Sequence, residues 1–273
     1  MLSKVHSFTR TEHLLFSLPL LFAGAWLGAG GCFPSWRIIG FITLVGLGAR
    51  TFGMALNRIL DRDLDAKNPR TKNREIPAGR LSLFQGYVVA AVGLFLYFVG
   101  CAGLGSLVLA LSFFPLVPLS LYSLLKRFTP LCHYGIGFVL ATAPVGAFVA
   151  ASNSLDFTSE ILWFALFTFC WMSGFDIIYA LLDVDFDRAH HVYSLPALLG
   201  PTRALWVAAL THVVAIGALM MLVKGWVSAL FFGVALFGFL ISYSPKIPVA
   251  VRFFPISIVV GVAGALVVFF IGT

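Results

Sequence analysis

"WRIIGFITLVGLGARTFGMALNRILDRDLDAKNPRTKNREIPAG", residues Trp36 to Gly79, joins two opposed kinds of sequence. Its first part, to Leu60, is a near-continuous apolar run, long enough at ~1.5 Å per residue to cross a hydrocarbon core of ~30 Å as a helix. From Asn57 to Gly79 it carries six basic and four acidic residues in twenty-three positions, in a chain that is only 11% charged. The run decides the fold class, and the cluster asks what an oily protein needs so many charges for.

The run is one of about nine. A 273-residue chain with 60% hydrophobic residues and a mean hydropathy of +0.99 lies outside the range of soluble domains. Apolar stretches cover approximately 13 to 30, 36 to 60, 84 to 103, 105 to 125, 134 to 151, 160 to 182, 203 to 222, 225 to 243 and 250 to 271. Only helices and closed barrels satisfy every backbone group in lipid, and continuous rather than alternating apolar runs select helices. The expectation is an all-α, polytopic membrane protein: a bundle of about nine transmembrane helices forming one integral membrane domain over 1–273. Lys4 and Arg10 precede an apolar run containing Ala23-Gly24-Ala25, as in a leader peptide, but the remainder is equally apolar, so the run reads as a retained first span.

Charge orients the bundle. With a cytoplasmic N-terminus, sixteen of the eighteen Lys and Arg residues fall on the cytoplasmic side, leaving Arg37 and Lys224 on the other. Topology and attraction to anionic headgroups account for the net charge of +7, and nucleic acid is not needed to explain it. Cys32, Cys101, Cys132 and Cys170 show no metal-ligand spacing and read as small packing residues, with a Cys32–Cys101 disulfide as the weaker alternative. The histidines are scattered except for His190 and His191, which read as solvated loop residues.

Eight of the eleven acidic residues fall in two clusters, Asp61, Asp63, Asp65 and Glu75, then Asp176, Asp183, Asp185 and Asp187. The first ends the second span and the second ends the sixth, so both face the cytoplasm. At about 100° per residue, Asn57, Asp61 and Asp65 share an arc of roughly 80°, and Asp176, Asp183 and Asp187 one of about 40°, with Tyr179 nearby. Asp63 and Asp185 point elsewhere. Topology calls for Lys and Arg, not acids, and gives no reason for the same stripe twice. Oxygen donors without Cys or His suit a hard cation such as Mg2+, which binds between carboxylates and a substrate phosphate. Arg74 and Lys126 would stabilise a diphosphate leaving group, and a membrane location makes its organic part a lipid, a polyisoprenyl diphosphate. Each stripe leads into a basic loop and a proline turn, "REIPAG" and "YSLPALLG", a faint sign that spans one to four and five to eight are related halves with a ninth added.

These residues resemble the UbiA superfamily of intramembrane aromatic prenyltransferases. "NRILDRDLDAKNPRTKNREIPAG" is similar to its first aspartate-rich motif and basic loop, and "DIIYALLDVDFD" to its second; "YSLLKR" carries Tyr122 and Lys126 at its Tyr-x-x-x-Lys spacing, and "TEHLLFSLPLLFAG" in span one adds a fourth match. The resemblance implies a nine-helix fold with a cytoplasmic cavity in which magnesium ions hold an isoprenoid diphosphate. Asn57, Asp61, Asp65, Asp176, Asp183 and Asp187 would then be metal or diphosphate ligands, with Asp61, Asp65, Asp183 and Asp187 central to catalysis. Tyr122, Lys126, Arg74 and Tyr179 would assist diphosphate binding, and Arg50, seven residues before Asn57 on the same face, would bind an anionic substrate. Arg58 stands where many members have an acid. "GFDIIYALLDVDFDRAHHVYSLP" is similar to bacterial 4-hydroxybenzoate polyprenyltransferase-like sequences, implying a bacterial inner-membrane enzyme of ubiquinone or menaquinone formation; a naphthoate of the futalosine route, or haem, is the alternative acceptor. A cation-coupled transporter would place its acids near the bilayer midplane rather than running out into loops, and a CDP-alcohol phosphotransferase would show one compact motif.

Overall fold

Every regular element among the described residues, 7–9 and 14–271 of this computed structural model, is helical. Lys4, Arg10 and the Thr11-Glu12-His13 start of the span-one motif lie outside them. In chain order the apolar runs form α1 Leu14–Gly28, α2 Trp36–Leu60, α3 Leu83–Leu104, α4 Ser106–Leu125, α5 Cys132–Ser152, α6 Ser159–Tyr179, α7 Pro201–Met220, α8 Trp226–Ile241 and α9 Val249–Phe269. Seven of these, α2 to α7 and α9, are long and apolar enough to cross a membrane; α1 and α8 correspond to expected spans but are shorter apolar helices. The chain is an integral membrane protein.

Local chemistry sets the breaks. Gly105, at φ +126°, separates α3 from α4, a conformation that side chains with a Cβ rarely adopt. Gly200 at φ +83° precedes Pro201, whose ring suits the first position of α7. α4 is interrupted at Ser112, and α9 begins with a π-helical turn, Arg252–Ile256, around Pro255.

Small residues let the helices meet without a hydrophobic driving force between them. A Cβ on Gly93 would stand 2.5 Å from the backbone nitrogen of Phe52, so α2 and α3 pack backbone to backbone; α1 and α5 do the same where Gly24 meets Pro144. α6 lies at the centre, in contact with α5, α7 and α9, with Phe164, Phe167, Trp171 and Phe175 fully buried and Phe167 stacked on both Phe164 and Trp171. Large apolar side chains such as Phe84, Phe95, Trp206 and Leu210 point outward, as lipid contact requires. Asp176 lies at the far end of α6 from Glu160, which pairs with Lys224 at 2.8 Å, so the second acidic cluster and this ion pair mark opposite ends of the bundle.

Candidate active site

Two interrupted helices carry the acids into one basin. α2 stops at Asp61, whose φ of −92° and ψ of 0° lie in the sparsely populated bridge region, and a short helix, Arg62–Lys67, follows. α6 tightens after Tyr179 into a 3₁₀ turn, Ala180–Asp183, before a second short helix, Val184–Ala189. The stripes therefore do not run along unbroken helices as their spacing predicts: each bends at an aspartate. Asp63 and Asp185 are exposed, as the periodicity expects.

Asp61 is 1% exposed. Its Oδ2 accepts from Asn57 Nδ2 at 3.0 Å and Lys126 Nζ at 2.6 Å, while its Oδ1 is buried with no hydrogen-bond partner. Burial pushes this carboxyl above the ordinary range, against the pull of Lys126. Asp65 accepts from Arg74 Nη1 at 2.7 and 2.8 Å on its two oxygens. Arg58, the departure from the family pattern, is buried and lends its charge to Glu75.

The two stripes meet through the loop after α2. Arg70 donates from Nε and Nη2 to the two oxygens of Asp183, Asn68 adds a bond of 2.8 Å to the same carboxylate, and Arg70 Nη1 reaches the Tyr179 hydroxyl at 2.7 Å. Asp176 pairs with His133 Nδ1 at 2.7 Å, and Asp187 accepts from Ser194 Oγ at 2.8 Å. The expected oxygen donors thus form separate hydrogen-bonded groups, with Tyr179, Arg74 and Lys126 among their partners, and these groups lie close enough at one end of the bundle for their charges to act on one another.

An apolar cavity of about 530 Å³ opens beside these groups. Its wall includes Arg50, Tyr122 and Phe253; Phe253 stacks on Tyr179 with centroids 4.1 Å apart, and Tyr122 lies within reach of the charges of Arg50, Asp61 and Asp176. From there the cavity follows α5 from Ile136 to Ala150, ~20 Å at the helical rise, and ends against Leu155 and Phe157 in the loop beyond. A charged head in the basin and a long hydrocarbon tail in the cavity is the ligand such a shape accepts.

The partners of the acids bear on their capacity for metal. Among the described residues no three Asp, Glu, His or Cys side chains form a ready-made metal group, and Asp61, Asp65 and Asp183 each hold a Lys or Arg side chain instead. The donor set is nevertheless all oxygen, and the buried, unpartnered Asp61 Oδ1 lacks a positive partner on that side. The chemistry of the donor set fits a hard divalent ion.

The UbiA prenyltransferase family matches residues 17–246 of the sequence. The chain belongs to this family. It is therefore a prenyl-transferring membrane enzyme, as the two motifs predict. It is 29% identical to the 4-hydroxybenzoate octaprenyltransferase of Aeromonas salmonicida over 72% of that protein and 76% of this chain, and 29% identical to that of Citrobacter koseri over 84% and 89%. Its fold superposes on the apo structure of a UbiA homologue from Aeropyrum pernix K1 with a TM-score of 0.81 and 30% identity, covering 94% of this chain and 95% of that one. A UbiA homologue from Archaeoglobus fulgidus bound to GPP and Mg2+ shares the fold, with a TM-score of 0.72 at 16% identity over 97% and 98% of the two chains.

Four contributors to the site escape sequence reasoning. Asn68 and Arg70 read as ordinary members of a basic loop, and His133 carries no local pattern. Their partners lie 115, 113, 43 and 7 residues away, and only Ser194, in the proline turn after the second stripe, had a nearby signal.

Proposed function

We propose that this protein transfers a polyprenyl group from an isoprenoid diphosphate to the ring of an aromatic acid of the 4-hydroxybenzoate type, in quinone formation, with the site open to the cytoplasm. The convergence of the two aspartate stripes at the mouth of an apolar cavity carries the reading. Asn57, Asp61, Asp65, Asp176, Asp183 and Asp187 would hold Mg2+. When bound, it neutralises the diphosphate and draws charge off the departing group.

Arg70, Arg74 and Lys126 exchange their carboxylates for phosphate oxygens, which binds the leaving group and keeps its growing charge matched. The cavity takes the tail and excludes water from the allylic carbon. Arg50 orients the acceptor through its carboxylate. The carbon–oxygen bond of the allylic diphosphate breaks, the ring carbon supplies the pair for the new carbon–carbon bond, and the ring then loses its proton. The names of the bacterial relatives support the acceptor class, and the ligands of the Archaeoglobus homologue support the donor and metal.

The test is direct. Reconstituted protein given labelled geranyl diphosphate, Mg2+ and 4-hydroxybenzoate should form a prenylated acid identified by mass; a naphthoate in parallel reads the acceptor. Absence of any prenylated acid with either would overturn the acceptor class.

A further inference from the structure

We infer that the turn Tyr193–Leu195 is a clamp that sets the separation of Asp176 and Asp187, and that His133 and Ser194 are its positioning residues; this rests on the reading that these carboxylates hold a divalent ion. The need for a clamp follows from the backbone. Asp176 sits on α6 and Asp187 on the short helix beyond the 3₁₀ turn Ala180–Asp183, so no continuous helix fixes one against the other. Metal ligands must be held to within ~0.5 Å to act together.

One turn reaches both. Ser194 Oγ donates to Asp187 Oδ2 at 2.8 Å while accepting from the Ala197 amide, so its single proton is committed to the carboxylate. The next residue, Leu195, donates its amide to His133 Nε2 at 3.3 Å. An acceptor at Nε2 fixes the ring proton at Nδ1, which donates to Asp176 Oδ2 at 2.7 Å. The preceding amide, Tyr193, donates to the Lys126 carbonyl at 2.7 Å, tying the same turn to the residue that carries the Asp61 partner.

His133 and Ser194 are 2% and 4% exposed, so neither has water as a substitute partner. Each occupies one oxygen of its carboxylate, and the hydrogen bond fixes the orientation of the other. This is the arrangement by which outer groups orient metal ligands, and losing such a group typically costs 10- to 100-fold in metal affinity.

The experiment titrates Mn2+ into the full chain in detergent with geranyl S-thiolodiphosphate, an unreactive donor analogue, and counts bound Mn2+ by electron paramagnetic resonance. His133→Phe keeps a ring but removes the donor and should weaken Mn2+ by about 10- to 100-fold. His133→Asn, which restores a donor near the Nδ1 position, should return affinity to within about threefold of wild type, and Ser194→Ala should weaken it about tenfold. Helical circular dichroism and monodisperse elution check the fold; if His133→Phe fails them, Ser194→Ala decides. Wild-type affinity in both His133→Phe and Ser194→Ala, or equal weakening by Asn and Phe at position 133, overturns the clamp. A wild-type chain that binds no Mn2+ removes the metal reading and the clamp with it, whereas wild-type binding with unaltered variants removes the clamp alone.

Discussion

Arg70 grips both carboxylate oxygens of Asp183 from 113 residues away, and its third arm reaches the Tyr179 hydroxyl. A planar fork is the one side chain that can do all three at once, and lysine is not a substitute. Its guanidinium also lies 5.0 Å from the Tyr179 ring centroid. Arg70→Lys should lower kcat/KM for the diphosphate by about 10- to 100-fold, since charged hydrogen bonds contribute about 1.5–3 kcal/mol. Steady-state kinetics against geranyl diphosphate check it; an unchanged value would return Arg70 to the role of a topological charge.

Asp61 and Asp63 are two residues apart and should behave oppositely. Asp61 is buried with one oxygen unpartnered, whereas the Asp63 side chain is 83% exposed beside Arg62. Asp61→Asn should cost at least ~100-fold in turnover, the scale of losing one transition-state stabiliser. Asp63→Asn should stay within about twofold, as exposed substitutions usually do. Chelation should silence the wild type and added Mg2+ restore it. Equal behaviour of the two variants would mean that the stripe is not the working surface.

The contrast between these neighbours was legible because acids are conspicuous in an apolar chain and helical spacing sorts inward from outward positions. The span ends were equally legible: Trp36–Leu60 and Leu83–Leu104 stop where apolar runs meet Asp61 and Gly105. The bends at Asp61 and at Ala180–Asp183 were not, since periodicity assumes a helix that continues. Nor were Arg70–Asp183 and His133–Asp176, because a pairing made by tertiary packing leaves no mark in either local stretch.

Glu75 gives the fold a defined acid sensitivity. Burial pushes its carboxyl up, but the Ser7 hydroxyl at 2.6 Å, its own backbone and the charges of Arg58 and Arg80 outweigh that and hold it below the ordinary carboxylate range. A group depressed on folding contributes stability above its unfolded value, and that stability is lost as pH falls through the folded value. The contribution should therefore be intact at neutral pH and decline below about pH 4.5. Thermal unfolding of wild type and Glu75→Gln across this range should converge on acidification. A constant gap between the two would show that Glu75 does not titrate with folding.

Gly146 tests whether the tail lies where the cavity runs. It lines the cavity ten residues along α5 from Ile136, ~15 Å by helical rise, and a Cβ built on it meets no heavy atom within 4 Å. The first side-chain atom there therefore meets open space, and replacing a helical glycine by a residue of better propensity does not weaken α5. Gly146→Phe should leave turnover of geranyl diphosphate within about threefold, because a short tail ends before the obstruction, and should cut turnover of octaprenyl diphosphate by at least about tenfold. That bound corresponds to ~1–3 kcal/mol for forcing excess volume into a packed space. Competition between the two diphosphates, with products separated by mass, reads the ratio in one vessel. An unchanged ratio would mean that long tails leave the bundle before reaching Gly146.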